Sequence, residues 1–312
     1  MSLEVNISLL NYEAGGLKTD GSYDFAPLVR AFLDDPNPDL ILLCEAKFWH
    51  ARGKRPFQAA MKDLSVLTGR PYVGELFTGP LGTAVIYDPS VLCLDATEEP
   101  DFADKRNLAR FSLRADLRYQ LQVFAEHWPY ADGEQRLARA KLLARFGTGP
   151  VPTLIAGDMN ATSSGPHLPD PDWANVPVSV RDHKGRQDLD GTWHADTRAL
   201  DRLIGAWDTQ TSRRINGAGF HHLAELDPLA PNPLPPTVNG EHLHIDYILA
   251  NQALLATAEV VPGSYHVHIP PSANPANWPS DHRRVSCTLR NRGPSSSRPM
   301  SQTTRRDRGQ QP

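Results

Sequence analysis

The chain has 312 residues, 40% hydrophobic and 22% charged, enough to bury one large core and too apolar for general disorder. Its longest apolar run, Leu40 to Cys44, is far short of the roughly 20 residues that cross a bilayer, and no signal peptide opens the chain, so a soluble, cytoplasmic protein is expected. Net charge is −4, but five arginines against Asp307 give residues 291 to 312 a charge of +4, leaving −8 for the body, which argues against binding nucleic acid mainly through a broad basic surface without deciding the substrate.

In chain order, Leu3 to Leu10 alternates apolar and polar residues and predicts a strand ending at Asn11. A helix is expected over Phe25 to Leu33, stopped by Pro36-Asn37-Pro38, and Leu40 to Cys44 reads as a fully buried strand delivering Glu45 at its end. Helical spacing over Pro56 to Leu67 precedes short antiparallel strands at Tyr72 to Phe77, Thr83 to Tyr87 and Val91 to Leu94. Phe111 to Leu117 and Leu121 to Ala125 read as a hairpin pair, the second arm delivering His127. Gly133 to Phe146 predicts a surface helix, and Pro152 to Ala156 a buried strand running into Gly157-Asp158-Met159-Asn160. Ala161 to Asp196, polar and rich in Pro, Gly, Asp and His, reads as a long ordered loop or insertion. Strands at Ile245 to Leu249 and Arg284 to Leu289 bracket a loop ending in Ser280-Asp281-His282. One domain is expected over residues 1 to 290, followed by a disordered basic tail over 291 to 312.

Ionisable and amide residues thus recur at strand ends: Asn11, Glu45, His127, Asp158 with Asn160, Asp281 with His282, while Asp246 lies inside a strand. Strand-end loops are where a rigid sheet can aim side chains into one site. Carboxylate and amide oxygens suit a hard cation such as magnesium, and histidines supply proton transfer near neutral pH. Together they are what metal-assisted phosphoester hydrolysis needs. Each piece alone also fits a structural role: Glu45 paired with Lys47, Asn11 or Gly157 to Asn160 as turns, Ser280 to His282 as a capped turn, His127 as a satisfied core histidine.

Six independent turns have no reason to fall into one order. The sequence resembles the endonuclease/exonuclease/phosphatase superfamily, on Asn11, Leu43-Cys44-Glu45, Gly82 to Val85, Glu126-His127, Gly157-Asp158-Met159-Asn160, Ile245-Asp246-Tyr247-Ile248-Leu249 and Ser280-Asp281-His282. The resemblance implies a four-layered α/β sandwich, two mixed sheets with helices on both outer faces. It implies Asn11 and Glu45 as metal-side ligands with Asp281 assisting, and Asp158 and Asn160 positioning the attacking water and the scissile phosphate. It also implies His282 as general base or phosphate-stabilising residue oriented by Asp246, and His127 near the leaving group; whether His282 or Asp158 takes the water's proton stays open. Two departures are visible: His244 stands where many members have a basic residue, and Glu13 where abasic-site enzymes have an aspartate.

The expected activity is magnesium- or manganese-dependent phosphoester hydrolysis by a monomer, first as a nuclease acting on nucleic acid. The alternatives are a phosphatase or phosphodiesterase on a small-molecule, inositol or lipid phosphate, a lipid calling for exposed aromatics such as Trp173 or Trp193, and an inactive binding module. Gly217-Ala218-Gly219 fails as a dinucleotide fingerprint, since His222 falls where the third glycine belongs. The pairs His221-His222, His242/His244 and His266/His268 have zinc-like spacing that is equally ordinary on strands.

Overall fold

A computed structural model of the chain describes residues 4–35, 37–77, 81–98, 107–239, 242–270, 274 and 277–292. The expected basic tail lies outside them from residue 293 onward.

In chain order the elements are β1 (Glu4–Asn11), α1 (Ala26–Arg30), β2 (Leu40–Lys47), α2 (Ala51–Thr68), β3 (Val73–Leu76), β4 (Leu81–Tyr87), β5 (Leu92–Glu98), β6 (Leu108–Leu113), β7 (Asp116–His127), α3 (Gly133–Leu143) and β8 (Thr153–Asp158). Then come α4 (Val178–Lys184), β9 (Gly185–Gln187), β10 (Trp193–Ala195), α5 (Arg198–Ile204), β11 (Ala206–Asp208), β12 (Arg213–Ile215), β13 (Phe220–His222), α6 (Leu223–Leu226), β14 (Asp246–Asn251), α7 (Gln252–Thr257), β15 (Ala258–Val260), β16 (His266–Val267) and β17 (Val285–Asn291). One large sheet runs β15-β17-β1-β2-β4-β3, with β16 also on β17, and the other runs β13-β14-β8-β7-β6-β5. Each is mixed: β1 and β2 are parallel, as are β7 and β8, and their remaining neighbours are antiparallel.

The period-two alternation decides the layering. One set of alternate residues, Val5, Ile7 and Leu9 of β1, Leu40 and Leu42 of β2, Leu121, Val123 and Ala125 of β7, Leu154 and Ala156 of β8, and Ile248 and Ala250 of β14, meets in the core between the sheets. The opposite set on the first sheet, including Leu10, Ile41 and Leu43, packs with Leu28 of α1 and Phe57, Ala60 and Leu64 of α2. On the second, Phe124, Ile155, Tyr247 and Leu249 pack with Ala140 and Leu143 of α3 and Leu200 and Leu203 of α5. The result is the four-layered sandwich. Each fully buried leucine or isoleucine contributes roughly 1.5–3 kcal/mol.

Several local expectations shift. The helix over Phe25 to Leu33 is regular only over Ala26–Arg30. The expected strand Phe111 to Leu117 is broken by a turn at Arg114-Ala115, so β7 begins at Asp116 and is longer than its apolar half announced. The Val91 to Leu94 strand, as β5, leaves the preceding β3 and β4 and pairs with the following β6 in the other sheet. The insertion contains α4 and the β9/β10 hairpin, with a small core of its own in which Trp173 meets Val238, Leu243 and Ile245 beside Trp193.

Behind the second sheet, the fully buried Asn251 joins four segments. Its Oδ1 accepts from Thr153 N and Leu254 N, both at 2.9 Å, and its Nδ2 donates to the carbonyls of Phe146 and Val151, both at 2.9 Å. Asn251→Ala leaves buried groups unsatisfied and removes the cap of α7, so it should lower unfolding free energy by about 2–4 kcal/mol in urea titration. A loss under about 1 kcal/mol would contradict this role.

Candidate active site

The inward-facing alternation that builds the core continues past its apolar end. Two residues beyond Leu9 is Asn11, beyond Ala125 is His127, beyond Ala156 is Asp158, and two before Ile248 is Asp246. Strand register then aligns them, since His127 pairs with Asp158 across β7/β8 and Asp158 with Asp246 across β8/β14. Directly opposed residues share a face, so the three form one row. Asn11, opposite Cys44 in the other sheet, faces this row: its Nδ2 donates to Asp158 Oδ2 at 2.9 Å and lies 3.3 Å from Glu45 Oε1 and 3.4 Å from His282 Nε2.

Glu45 reaches the site by breaking the alternation. Its φ is +59°, and the β2/β4 register shifts between Leu43 and Ala46. A bulge of this kind re-aims side chains, and Ala46 falls into the outer core with Leu43. Glu45 is thereby drawn to Asn11, with its Oε2 accepting from Ala14 N at 2.9 Å.

His282 arrives on the loop before β17. Its Nδ1 lies 2.8 Å from Asp246 Oδ2, and its Nε2 is 3.8 Å from Asp158 Oδ2. His127 Nε2 stands 3.6 Å from the same Asp158 oxygen. Burial works against the imidazolium of His282, but Asp246 and Asp158 outweigh it and push its pKa up to about 10. Burial also opposes ionisation of Asp158, yet His282, His127 and Lys184 hold its carboxyl below the ordinary aspartate value. Asp246 goes the other way, raised by burial.

Asn160 follows Asp158 in a turn with φ +47°, which asparagine tolerates better than most residues. Its N–H donates to Asp158 Oδ1 at 2.8 Å, and its Nδ2 to Asp158 Oδ2 at 3.2 Å and to Trp128 O at 3.0 Å. Its Oδ1 accepts from Lys184 Nζ. Lys184 was not anticipated; its only signal was a lone lysine in a polar insertion.

The remaining expectations divide. Asp281 is exposed, bonded to Ser280 Oγ at 3.1 Å, and the structure does not bring it into contact with Asn11 or Glu45. It faces Glu13, whose carboxyl it raises, and both border a cleft of about 390 Å³ that also includes Trp278 and Lys18. His244 is fully buried against Pro235 O and Tyr265, with burial pulling its pKa down to about 4, so it does not stand in for a basic phosphate contact. Its ring lies 5.4 Å from that of His222, in an aromatic cluster with Tyr247 and Tyr265. Glu126 is held by Arg139 at 2.7 and 2.8 Å and by Trp128 Nε1 at 2.9 Å, which leaves it supporting the strand end.

A divalent cation fits the Asn11–Glu45 side. Asn11 Oδ1 is buried with no hydrogen-bond partner, and beside it Glu45 Oε1 receives a long contact from Asn11 Nδ2 while Oε2 accepts from Ala14 N. Both are hard oxygen donors. Asp158, Asp246 and His282 also offer ligand atoms within 4.8 Å of one another, but the short His282–Asp246 bond already occupies Nδ1 and makes this group a charge-handling pair more than a cage.

Comparison with protein families decides the affiliation, for residues 21–282 match the Endonuclease/Exonuclease/phosphatase family. The chain belongs to this family. As a member of the Endonuclease/Exonuclease/phosphatase family it is a phosphoric ester hydrolase of a divalent-metal-dependent class. Similar solved structures include ANGEL2, described as a 2',3'-cyclic phosphatase, at TM-score 0.59 and 13% identity over 93% of this chain and 95% of that one. The human Nocturnin catalytic domain aligns at 0.54 and 15% identity over 92% and 93%, and a family protein from Bacteroides thetaiotaomicron at 0.55 and 13% over 93% and 98%. These likenesses establish a shared fold. No curated protein matches the chain.

The raised pKa of His282 has a consequence for stability. The proton it holds in the folded state stabilises fully below the ordinary histidine value of 6.5, and this contribution disappears as pH rises through about 10. In chelator, the unfolding free energy of the wild type should therefore fall between those values, while His282→Gln should show a flatter profile. Parallel profiles would contradict the His282–Asp246 charge pair.

Proposed function

We propose that the chain is a magnesium- or manganese-dependent nuclease that hydrolyses phosphodiester bonds by in-line attack of water. One observation carries this: His127, Asp158 and Asp246 form a register-aligned row on one sheet, opposed by Asn11 and the bulge-turned Glu45 from the other and closed by His282. In this proposal Asn11 and Glu45 hold the metal, with Asp281 assisting from the rim. The metal supplies positive charge that offsets the phosphate and its developing negative charge.

The protein's own groups divide the remaining work. Asp158, kept ionised, and the Asn160 amide orient the attacking water and the phosphate. Asp246 fixes the imidazole of His282 so that Nε2 faces the reacting group, where it exchanges a proton or donates a hydrogen bond. His127, on the opposite side of Asp158, serves the leaving oxygen.

A nucleic-acid backbone is favoured over a lipid by the rim. Trp173 is 5% exposed and locked in the insertion's core, and Trp193 is half-buried under Arg181, so neither of these two supplies the exposed aromatic contact expected for a lipid substrate. Tyr130, 46% exposed beside His183, offers a stacking surface near His127 instead. The body charge of −8 favours the second reading, a small-molecule phosphate ester.

Nicking of supercoiled plasmid at low salt, with magnesium or manganese against chelator, tests the proposal. Metal-dependent nicking should fall by about 10³-fold or more in folded Asp158→Asn and His282→Ala. No nicking by folded wild type would refute deoxyribonuclease activity and move the test to RNA, then to small phosphate esters. Glu45→Gln should raise the metal concentration for half-maximal rate by about tenfold or more; an unchanged requirement would remove Glu45 from the metal side.

A further inference from the structure

Lys184 is the only lysine after Lys141, and it is 3% exposed at the end of α4. Burying an ammonium is unfavourable unless its donors are used. Lys184 uses one on Asn160 Oδ1, and its Nζ lies 4.1 Å from the centroid of the Tyr130 ring. Asn160 is thereby held on three sides: by Lys184 at its oxygen, and by Trp128 O and Asp158 Oδ2 at its nitrogen. Because an ammonium only donates, it also settles which end of the amide is oxygen.

The insertion fixes the lysine from outside the two sheets. Arg136, 1% exposed on α3, donates to His183 O at 2.6 Å and to Tyr130 O at 2.7 Å, joining the insertion to the segment after His127. Asp196 N donates to Lys184 O at 2.9 Å as the hairpin closes. Gly185 must be glycine, since a Cβ there would come within 2.7 Å of Arg181 O and 3.0 Å of the Trp173 and Trp193 rings. Nothing in this framework leaves the lysine stem free to swing.

We infer that Lys184 is a positioning residue that locks the Asn160 amide, so that the 161–196 insertion completes the catalytic apparatus and does more than border the substrate. This rests on the proposed role of Asp158 and Asn160 as the pair that orients water and phosphate. Loss of the lock leaves the Asn160 amide held only at its nitrogen, by Trp128 O and Asp158 Oδ2, and this looser amide lowers the fraction of enzyme poised to react while substrate binding persists.

The test is a double-mutant cycle on bis(p-nitrophenyl) phosphate with saturating manganese, comparing wild type, Lys184→Met, Asn160→Ala and the double variant, each with its melting temperature. Methionine keeps the stem's packing on Tyr130 and removes the donor. Lys184→Met should lower kcat by about 10- to 100-fold with KM within about twofold, and should cost at most about twofold further in the Asn160→Ala background. Lys184→Arg, which retains a donor, should recover part of kcat, and it carries the comparison if Lys184→Met does not fold. Full additivity in the double variant, or wild-type kcat in folded Lys184→Met while Asn160→Ala is impaired, would overturn the inference alone. Wild-type kcat in folded Asn160→Ala would overturn the underlying role of Asn160, and the inference with it.

Discussion

Two buried aspartates directly opposite each other on neighbouring strands are the constraint around which this molecule is arranged. Asp158 and Asp246 are register partners, 2% and 0% exposed, on one face of the second sheet. Like charges so placed destabilise a sheet, and desolvation adds to the penalty. The remedy comes from the other sheet, where the loop into β17 places His282 with Nδ1 on Asp246 and Nε2 toward Asp158. An imidazolium between two carboxylates makes the pair tolerable, and it makes the docking of the two sheets a condition of the site. Removing such a partner from a buried ion cluster typically costs about 3–5 kcal/mol, so this cluster is also part of what holds the two sheets together.

The same geometry explains how a cluster of ionisable residues and an apolar core share one set of strands. Alternate residues of β1, β7, β8 and β14 are aliphatic through the middle of the sandwich and polar at one end, with no change of phase between the two regions. Where phase would send a needed carboxylate the wrong way, at Glu45, the chain accepts a positive φ and a bulge. Backbone strain of this order, about 1–3 kcal/mol, persists only when surrounding structure holds it, and here the Ala14 N–H and Asn11 receive the displaced side chain. Support comes from behind as well, since the doubly bonded Glu126–Arg139 pair ties α3 to the end of β7, next to His127.

Much of this was legible in the sequence. The alternation in Leu3 to Leu10 marks a strand by its period of two, and the apolar run Leu40 to Cys44 and the strands running into Asp158 and out of Asp246 mark theirs as short continuous runs buried on both faces. Parity along the strands keeps Asn11, His127, Asp158 and Asp246 in phase with one set of alternate apolar residues, but with both faces buried it does not say which face meets the other sheet. The helix α4, which buries only Lys184, and the segment from α5 to α6, whose apolar residues pack onto neighbours distant in sequence, were not legible.

Sequence by itself therefore determined where the main strands run and which residue types gather at their ends, since these depend on contacts within a few residues. Only the tertiary structure decided which ends meet: that β5 leaves β4 for the other sheet, that Glu45 turns back through a bulge, that His244 sinks into a histidine–tyrosine cluster while His282 closes the site, and that Lys184 arrives from the insertion onto Asn160. Each of those outcomes depends on a partner tens to hundreds of residues away, and local periodicity carries no information about a partner at that distance.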